Sequence, residues 1–194
     1  MNSQRSMRIT LMGALLLAAL GSACNKDDEH AVKGRTGPNG VGRDSVSDLA
    51  LNEDGLGQIQ IGMTLDEAVN MGLLNERPDI KPACDFVFPA VGAGLPLVNV
   101  MVVRGKIARI DVDTGTVTTE DGARIGDTED RIKEIYGDEL KITPNKYITG
   151  GHYFTILGDS TSAGKAMVFE TDGRQVTSFR AGRIPEVEWV EGCG

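Results

Sequence analysis

Few residues of this chain have types and spacing that suit catalysis. The triplet Asp113-Thr114-Gly115 has the form found in aspartic proteases. That chemistry needs two carboxylates that share one proton, and the corresponding place in the second half of the chain has Phe179-Arg180-Ala181-Gly182. Asp111 and Asp113 resemble the start of a calcium loop, but the remaining ligand positions are missing. We therefore interpret this segment as a turn that follows a strand.

His152 is the other candidate for acid–base chemistry. It lies in Gly150-Gly151-His152-Tyr153-Phe154, at the predicted start of a strand. A catalytic base works on a nucleophile and is oriented by an acidic group, and no motif signals either nearby. The sequence has no C-x-x-C, and His30 lies far from His152, so a zinc site is not expected. The sequence predicts no catalytic residue, no metal and no cofactor, and the chain is interpreted as a non-enzyme.

The N-terminus has the three-part pattern of a bacterial export signal. Arg5 and Arg8 precede a 12-residue apolar run over 9–20, and small residues follow at 21–23. An apolar run of this length suits a signal peptide and is too short to span a bilayer. We predict a signal peptide over residues 1–23.

Cys24 follows the small residues directly, as bacterial lipoprotein processing requires. We predict that its thiol carries a diacylglyceryl group and that this lipid holds the protein at a bacterial membrane, outside the cytoplasm. The position three residues before it is Gly21 instead of a branched aliphatic residue. Ordinary cleavage after Ala23, giving a secreted protein, is the first alternative, and an uncleaved anchor is the second.

The two remaining cysteines, Cys84 and Cys193, form an even pair if lipid occupies Cys24. An exported protein lies in an oxidising compartment, where such a pair forms a disulfide. We predict a Cys84–Cys193 bridge, with two buried free thiols as the alternative.

Charge and composition limit the partners. Removal of residues 1–23 takes away two basic residues and no acidic ones, so 18 basic residues remain against 28 acidic, a formal charge of −10. This balance argues against nucleic acid as a partner. Residues 24–50 are polar and glycine-rich and are predicted to be a flexible tether. Residues 51–194 are predicted to form one α+β domain.

The predicted domain contains a divergent internal duplication, over about 51–115 and 116–194. Each half has a short strand, a glycine turn, a Thr cap and a two-turn helix that a glycine ends. Thr64 and Glu67 form a capping box, and Asp127 or Thr128 caps the second helix. The apolar residues of each helix share one face: Leu65, Ala68 and Val69, then Ile132, Ile135 and Tyr136.

A strand–turn–strand follows in each half. The first is predicted over 98–103 and 107–112, and the second over 166–169 and 176–180, with turns at Arg104-Gly105-Lys106 and Asp172-Gly173. In the strand over 107–112, Ala108, Ile110 and Val112 alternate with polar residues. The two hairpins predict an antiparallel sheet against which each helix packs. The same alternation around Trp189 predicts a last strand, with Trp189 beside the bridge or, alternatively, in contact with a partner.

The segment Ile61-Gly62-Met63-Thr64, with its capped helix and antiparallel strands, resembles the repeat of the β-lactamase-inhibitor-protein-like fold. The same unit occurs singly in the small lipoproteins of the outer-membrane assembly machinery. The second half keeps Ile125, Gly126 and Thr128 of the motif. The resemblance implies a protein partner bound on a concave sheet lined with aromatic residues, and this chain has 9 aromatic residues in all.

Two functional classes follow from these observations. We expect a non-enzymatic cell-envelope lipoprotein that binds an envelope protein as an adaptor or inhibitor. The alternative is a binder of small molecules or cell-wall fragments, which needs an apolar cleft between the two halves. A hydrolase is the third candidate and needs a cleft that joins His152 to a carboxylate and a hydroxyl.

Overall fold

The computed structural model describes residues 49–160 and 162–194. The predicted signal peptide, the lipid site at Cys24 and nearly all of the tether lie outside the described residues. The first strand begins at Ala50. Across the described ranges, no helix has both the length and the apolar character needed to cross a membrane.

The described chain is a mixed α/β structure made mostly of strands, with two helices, two sheets and short 3-10 turns. The helices are α1 (Leu65–Asn70) and α2 (Glu129–Tyr136). The strands are β1 (Ala50–Asn52), β2 (Gly55–Leu56), β3 (Ile59–Gln60), β4 (Asp85–Val87), β5 (Asn99–Val103), β6 (Lys106–Val112), β7 (Thr118–Thr119), β8 (Lys141–Pro144), β9 (His152–Leu157), β10 (Lys165–Thr171) and β11 (Val176–Arg183).

The larger sheet has seven strands in the order β4-β5-β6-β11-β10-β9-β8, and all neighbours are antiparallel. Strands β6 and β11 meet at its centre, where Asp111 lies opposite Arg180. The smaller sheet has the order β3-β2-β1-β7, and β7 runs parallel to β1. The sequence prediction of two antiparallel hairpins is confirmed, and both hairpins lie in the larger sheet.

Both helices begin at the predicted threonine. The Thr64 hydroxyl accepts a hydrogen bond from the Glu67 amide at 3.2 Å, and the Glu67 carboxylate accepts one from the Thr64 amide at 2.9 Å, which confirms the capping box. At α2 the cap is Thr128, whose hydroxyl accepts from the Arg131 amide at 3.2 Å. The Asp127 carboxylate accepts from the amide of Arg124 instead. These bonds satisfy amides that have no partner inside a helix.

Each helix start is bound to the turn of a hairpin by three backbone hydrogen bonds. At α1 they are Gly62 N–H to Ile107 O (2.7 Å), Ile107 N–H to Met63 O (2.8 Å) and Leu65 N–H to Gly105 O (2.9 Å). At α2 they are Gly126 N–H to Val176 O (2.9 Å), Val176 N–H to Asp127 O (2.8 Å) and Glu129 N–H to Arg174 O (3.2 Å). The register of each hairpin also shifts once, between Met101 and Val102 and between Glu170 and Thr171.

The main hydrophobic core packs both helices and the smaller sheet against one face of the larger sheet. Its fully buried members include Leu51, Ile110, Ile132, Phe154 and Phe179. The other face carries two small apolar clusters, and one of them includes Val187. Residues 184–194 lie against this second face; we call them the C-terminal strap.

Two predicted strands are wrong. The segment around Trp189 is a 3-10 turn, Glu186–Glu188, followed by irregular chain. Pro185 comes directly before it and has no N–H to donate to a sheet. The short strand predicted before the glycine turn of the second half, at Ala123-Arg124-Ile125, is reduced to a single bridge between Arg124 and Thr118.

Candidate functional site

The predicted bridge between Cys84 and Cys193 is confirmed, with Cα atoms 5.4 Å apart across a sequence separation of 109 residues. Both cysteines pack against Met101, Val103 and Ala108 on the strap side of the larger sheet. The bridge therefore fixes the C-terminal strap to the edge of the sheet.

Two buried arginines hold the strap along its length. The Arg109 guanidinium donates to the carbonyls of Glu186 (3.0 Å) and Trp189 (2.7 Å) and pairs with the Asp111 carboxylate at 3.0 Å. The Arg180 guanidinium donates to the Val187 carbonyl at 2.6 Å and pairs with Glu170. Burial opposes the charge of the first pair, lowering the pKa of Arg109 and raising that of Asp111. The strap thus covers the centre of this sheet face.

Asp113 and Asp111 lie in different environments. Asp113 is exposed after the end of β6, and its carboxylate accepts a hydrogen bond from the side-chain amide of Asn99 at 2.6 Å. Asp111 is buried against Arg109. The described residues contain no group of three or more His, Cys, Asp or Glu side chains that could hold a metal.

His152 begins β9, as predicted, and lies beside an acid that the sequence did not indicate. Its Nδ1 is 2.8 Å from Oε1 of Glu129, which also accepts a hydrogen bond from the Thr171 hydroxyl at 2.5 Å. Burial disfavours the charge of Glu129, but these two bonds, together with charge interactions with His152 and Lys133, outweigh it and hold the pKa of Glu129 below its usual value. Thr171 is fully buried and donates to the carboxylate rather than to the histidine. The arrangement therefore links α2 to β9 and β10 and presents no available nucleophile.

An acidic cavity of about 440 Å³ lies between the turn after β1, α2 and β9. Its apolar lining comes from Ile135, Tyr136, Ile156 and Leu157, and its acidic lining from Glu53, Asp54, Glu120, Asp121, Glu139 and Asp159. Asp54 accepts from Ser162 at 2.9 Å and from Lys165 at 2.5 Å, which lowers its pKa. Burial, reinforced by neighbouring carboxylates, raises the pKa of Glu53. A cavity with this lining disfavours anionic ligands.

An apolar groove of about 480 Å³ lies where α1 begins, at the tip of the β5–β6 hairpin. We call it the α1 groove. The Arg104 amide donates to the Pro82 carbonyl at 3.1 Å, which brings the loop at 80–82 to the hairpin tip and forms one wall. Its lining residues are Leu65, Asp66, Ile80, Lys81, Pro82, Val102, Arg104 and Gly105.

The corresponding place beside α2 is closed. The hydrogen bonds between helix and hairpin place Glu129 where the first half has Leu65, and the hairpin register places Thr171 where it has Val102. There the polar network with His152 occupies the space. The turn glycine, Gly173, also packs so closely that an added Cβ would lie 2.4 Å from the Gly150 carbonyl oxygen. An open apolar groove beside one helix thus contrasts with a closed polar network beside the other.

Sequence reasoning did not identify the α1 groove. Leu65 was predicted only as a core residue of the helix, and Ile80 and Val102 have no motif that separates a groove from a core. The bridge cysteines, which the sequence did predict, lie at the C-terminal strap and not at the groove. A comparison of the two halves gives one usable signal, since apolar Leu65 and Val102 stand where the second half has Glu129 and Thr171.

Comparison of the chain with models of protein families, with curated proteins and with solved structures found no match. The interpretation of function therefore depends on the chemistry and geometry of this chain.

Proposed function

We propose that this chain is a non-enzymatic lipoprotein of the bacterial cell envelope that binds another protein through the α1 groove. The observation that carries the proposal is the groove itself, which is apolar and has a volume of about 480 Å³. The corresponding place beside α2 is filled by polar side chains. Exposed apolar surface of this kind is characteristic of binding sites.

The lipid anchor is part of the same proposal and is supported by the pattern over residues 1–24. The mature protein is expected to begin at Cys24 and to carry a diacyl or triacyl addition there. Intact-mass measurement of the protein purified from membranes tests this expectation. A mature chain with an unmodified Cys24 would contradict the anchor and favour ordinary secretion.

We also propose that the halves at about 51–115 and 116–194 are divergent copies of one unit. In support, equivalent helix-to-hairpin bonds form in both halves. Their helix-segment residues in the second half lie 64 positions after those in the first half, and their hairpin residues lie 69 positions after. The register shifts are also 69 residues apart. With this spacing Asp111 corresponds to Arg180, and these two residues pair at the centre of the sheet, where a two-fold axis between the copies would pass.

The binding proposal is tested by site-specific photocrosslinking in living cells of the producing bacterium. A photoreactive amino acid at exposed Asp66, on the rim of the groove, is expected to form an adduct with one recurring envelope protein. The matched control is Arg174, which is exposed at the hairpin turn of the second half. Ile80→Trp, which fills the groove from its wall, is expected to abolish the Asp66 adduct. Absence of any Asp66 adduct, or an adduct that survives Ile80→Trp, would contradict the proposal.

The second candidate is a binder of small molecules or cell-wall fragments, and the acidic cavity is the observation that favours it. Its volume suits a small ligand. Its lining is acidic rather than that of the apolar cleft expected from the sequence, and it favours an amine-bearing ligand. Titration of amine-bearing cell-wall fragments tests it by NMR shifts of amides around Glu53. Shifts confined to that cavity support this candidate, and their absence at saturating fragment contradicts it.

A further inference from the structure

We infer that the α1 groove takes a protein segment in which an aliphatic side chain lies next to a carboxylate. This inference rests on the proposed protein-binding function and specifies the chemistry of the partner. Three features of the groove lead to it: its apolar floor, the charges on its rim and the backbone conformation of Arg104.

The floor of the groove is aliphatic. Val102 lies beneath it with 2% of its surface exposed, and Leu65 and Ile80 are half-buried at its sides. All three pack against or belong to the main hydrophobic core, so their positions are fixed by the fold. An aliphatic side chain placed here removes apolar surface from water on both partners.

The rim of the groove has an excess of positive charge on an acidic protein. Lys81 and Arg104 stand against Asp66, whereas the whole chain has a formal charge of −8. Neither Lys81 nor Arg104 forms a salt bridge with another residue in the described ranges. Two exposed cations that form no salt bridge within the described ranges, beside an apolar floor, complement a ligand that is apolar and carries a carboxylate.

Arg104 has an unusual backbone. Its φ is +52°, and within the described ranges no other non-glycine residue has a positive φ. The corresponding turn residue in the second half is Gly173, which adopts φ +93° without the steric conflict of a side chain. A long cationic side chain at a position that favours glycine is the kind of strain found at functional sites. It places the guanidinium-bearing residue at the edge of the groove.

An aliphatic chain with a carboxylate could also come from a fatty acid. Small-molecule sites bury most of the surface of their ligand, whereas this groove is partly open to solvent and its wall is the short loop at 80–82. A protein segment can extend along the open side, so we assign the groove to a segment of a partner protein and make fatty-acid binding an outcome of the test.

The test measures fluorescence anisotropy with the full-length processed protein, purified in detergent from its own cells. The probe is a labelled peptide of alternating leucine and glutamate. Two comparison peptides carry lysine in place of glutamate or serine in place of leucine. The glutamate–leucine peptide is expected to bind at least about tenfold more tightly than either comparison peptide. Lys81→Glu/Arg104→Glu is expected to reverse the preference between glutamate and lysine peptides, and Arg174→Glu is expected to leave it unchanged. All three substituted residues are exposed, and an unchanged circular dichroism melt confirms that each variant is folded.

Equal affinity for the glutamate and lysine peptides would overturn the inference, as would absence of binding up to about 1 mM peptide. Displacement of the peptide probe by laurate, together with failure of Ile80→Trp to lower the affinity for the peptide, would also overturn the inference. The photocrosslinking result separates this failure from failure of the proposed function. A specific Asp66 adduct with no charge preference among peptides supports protein binding and refutes the acidic segment. Absence of both the adduct and the preference refutes both proposals.

Discussion

Removal of the Cys84–Cys193 bridge is expected to destabilise the protein strongly. The bridge closes a loop with a sequence separation of 109 residues. The chain-entropy relation gives about 16 cal/mol/K for a loop of this length, or about 4.8 kcal/mol at 25 °C. Residual structure in the unfolded chain makes the loss smaller than this relation gives, because the denatured ensemble already restricts the segments that the bridge joins. We therefore expect Cys84→Ala/Cys193→Ala to lower the free energy of unfolding by about 3–4 kcal/mol.

Urea denaturation, followed by far-ultraviolet circular dichroism, measures this change. Domains of this size are stable by about 5–15 kcal/mol, so the loss is large enough to move the midpoint clearly. The wild-type protein with a reducing agent serves as the control and should match the double variant. A loss below about 1 kcal/mol would refute the reasoning, because the bridge would then not govern the entropy of the unfolded chain.

Three further predictions concern single side chains. Arg109→Ala is expected to lower the free energy of unfolding by about 3–5 kcal/mol, because its buried acidic partner Asp111 loses its counter-charge. The strap should then be cleaved faster in limited proteolysis, while Arg174→Ala leaves both stability and cleavage unchanged. Thr64→Ala and Thr128→Ala are each expected to lower the free energy of urea unfolding by about 1 kcal/mol, and a change near zero would show that the caps contribute nothing. Glu129 has a pKa below its usual value, so its network stabilises the fold above the unfolded pKa of about 4.3, and this contribution is lost as the pH falls through the folded pKa. Glu129→Gln should therefore make thermal stability less dependent on pH between about 3 and 5, and an unchanged slope would contradict the network.

The sequence by itself determined the local elements. Thr64 with Glu67 three residues later satisfies helix amides within one turn, so the capping box could be predicted without any long-range contact. The same holds for the hairpins, whose strands are joined by short turns and are rich in apolar and β-branched residues. The disulfide followed from the count of cysteines in a chain that the N-terminal pattern predicts to be exported. Each of these signals lies within a few residues or in the composition.

The tertiary structure alone decided which distant segments meet. The pairing of β6 with β11 at the centre of the sheet depends on a register that no local pattern specifies. Glu129, His152 and Thr171 lie on three different elements, so the sequence could not indicate that a carboxylate stands beside the histidine. The strap around Trp189 has the apolar–polar alternation of a strand. Its carbonyls, however, accept hydrogen bonds from the side chains of buried arginines and not from the backbone of a neighbouring strand. The α1 groove forms for the same reason: its floor and walls come from a helix, a hairpin and a loop that only the fold brings together.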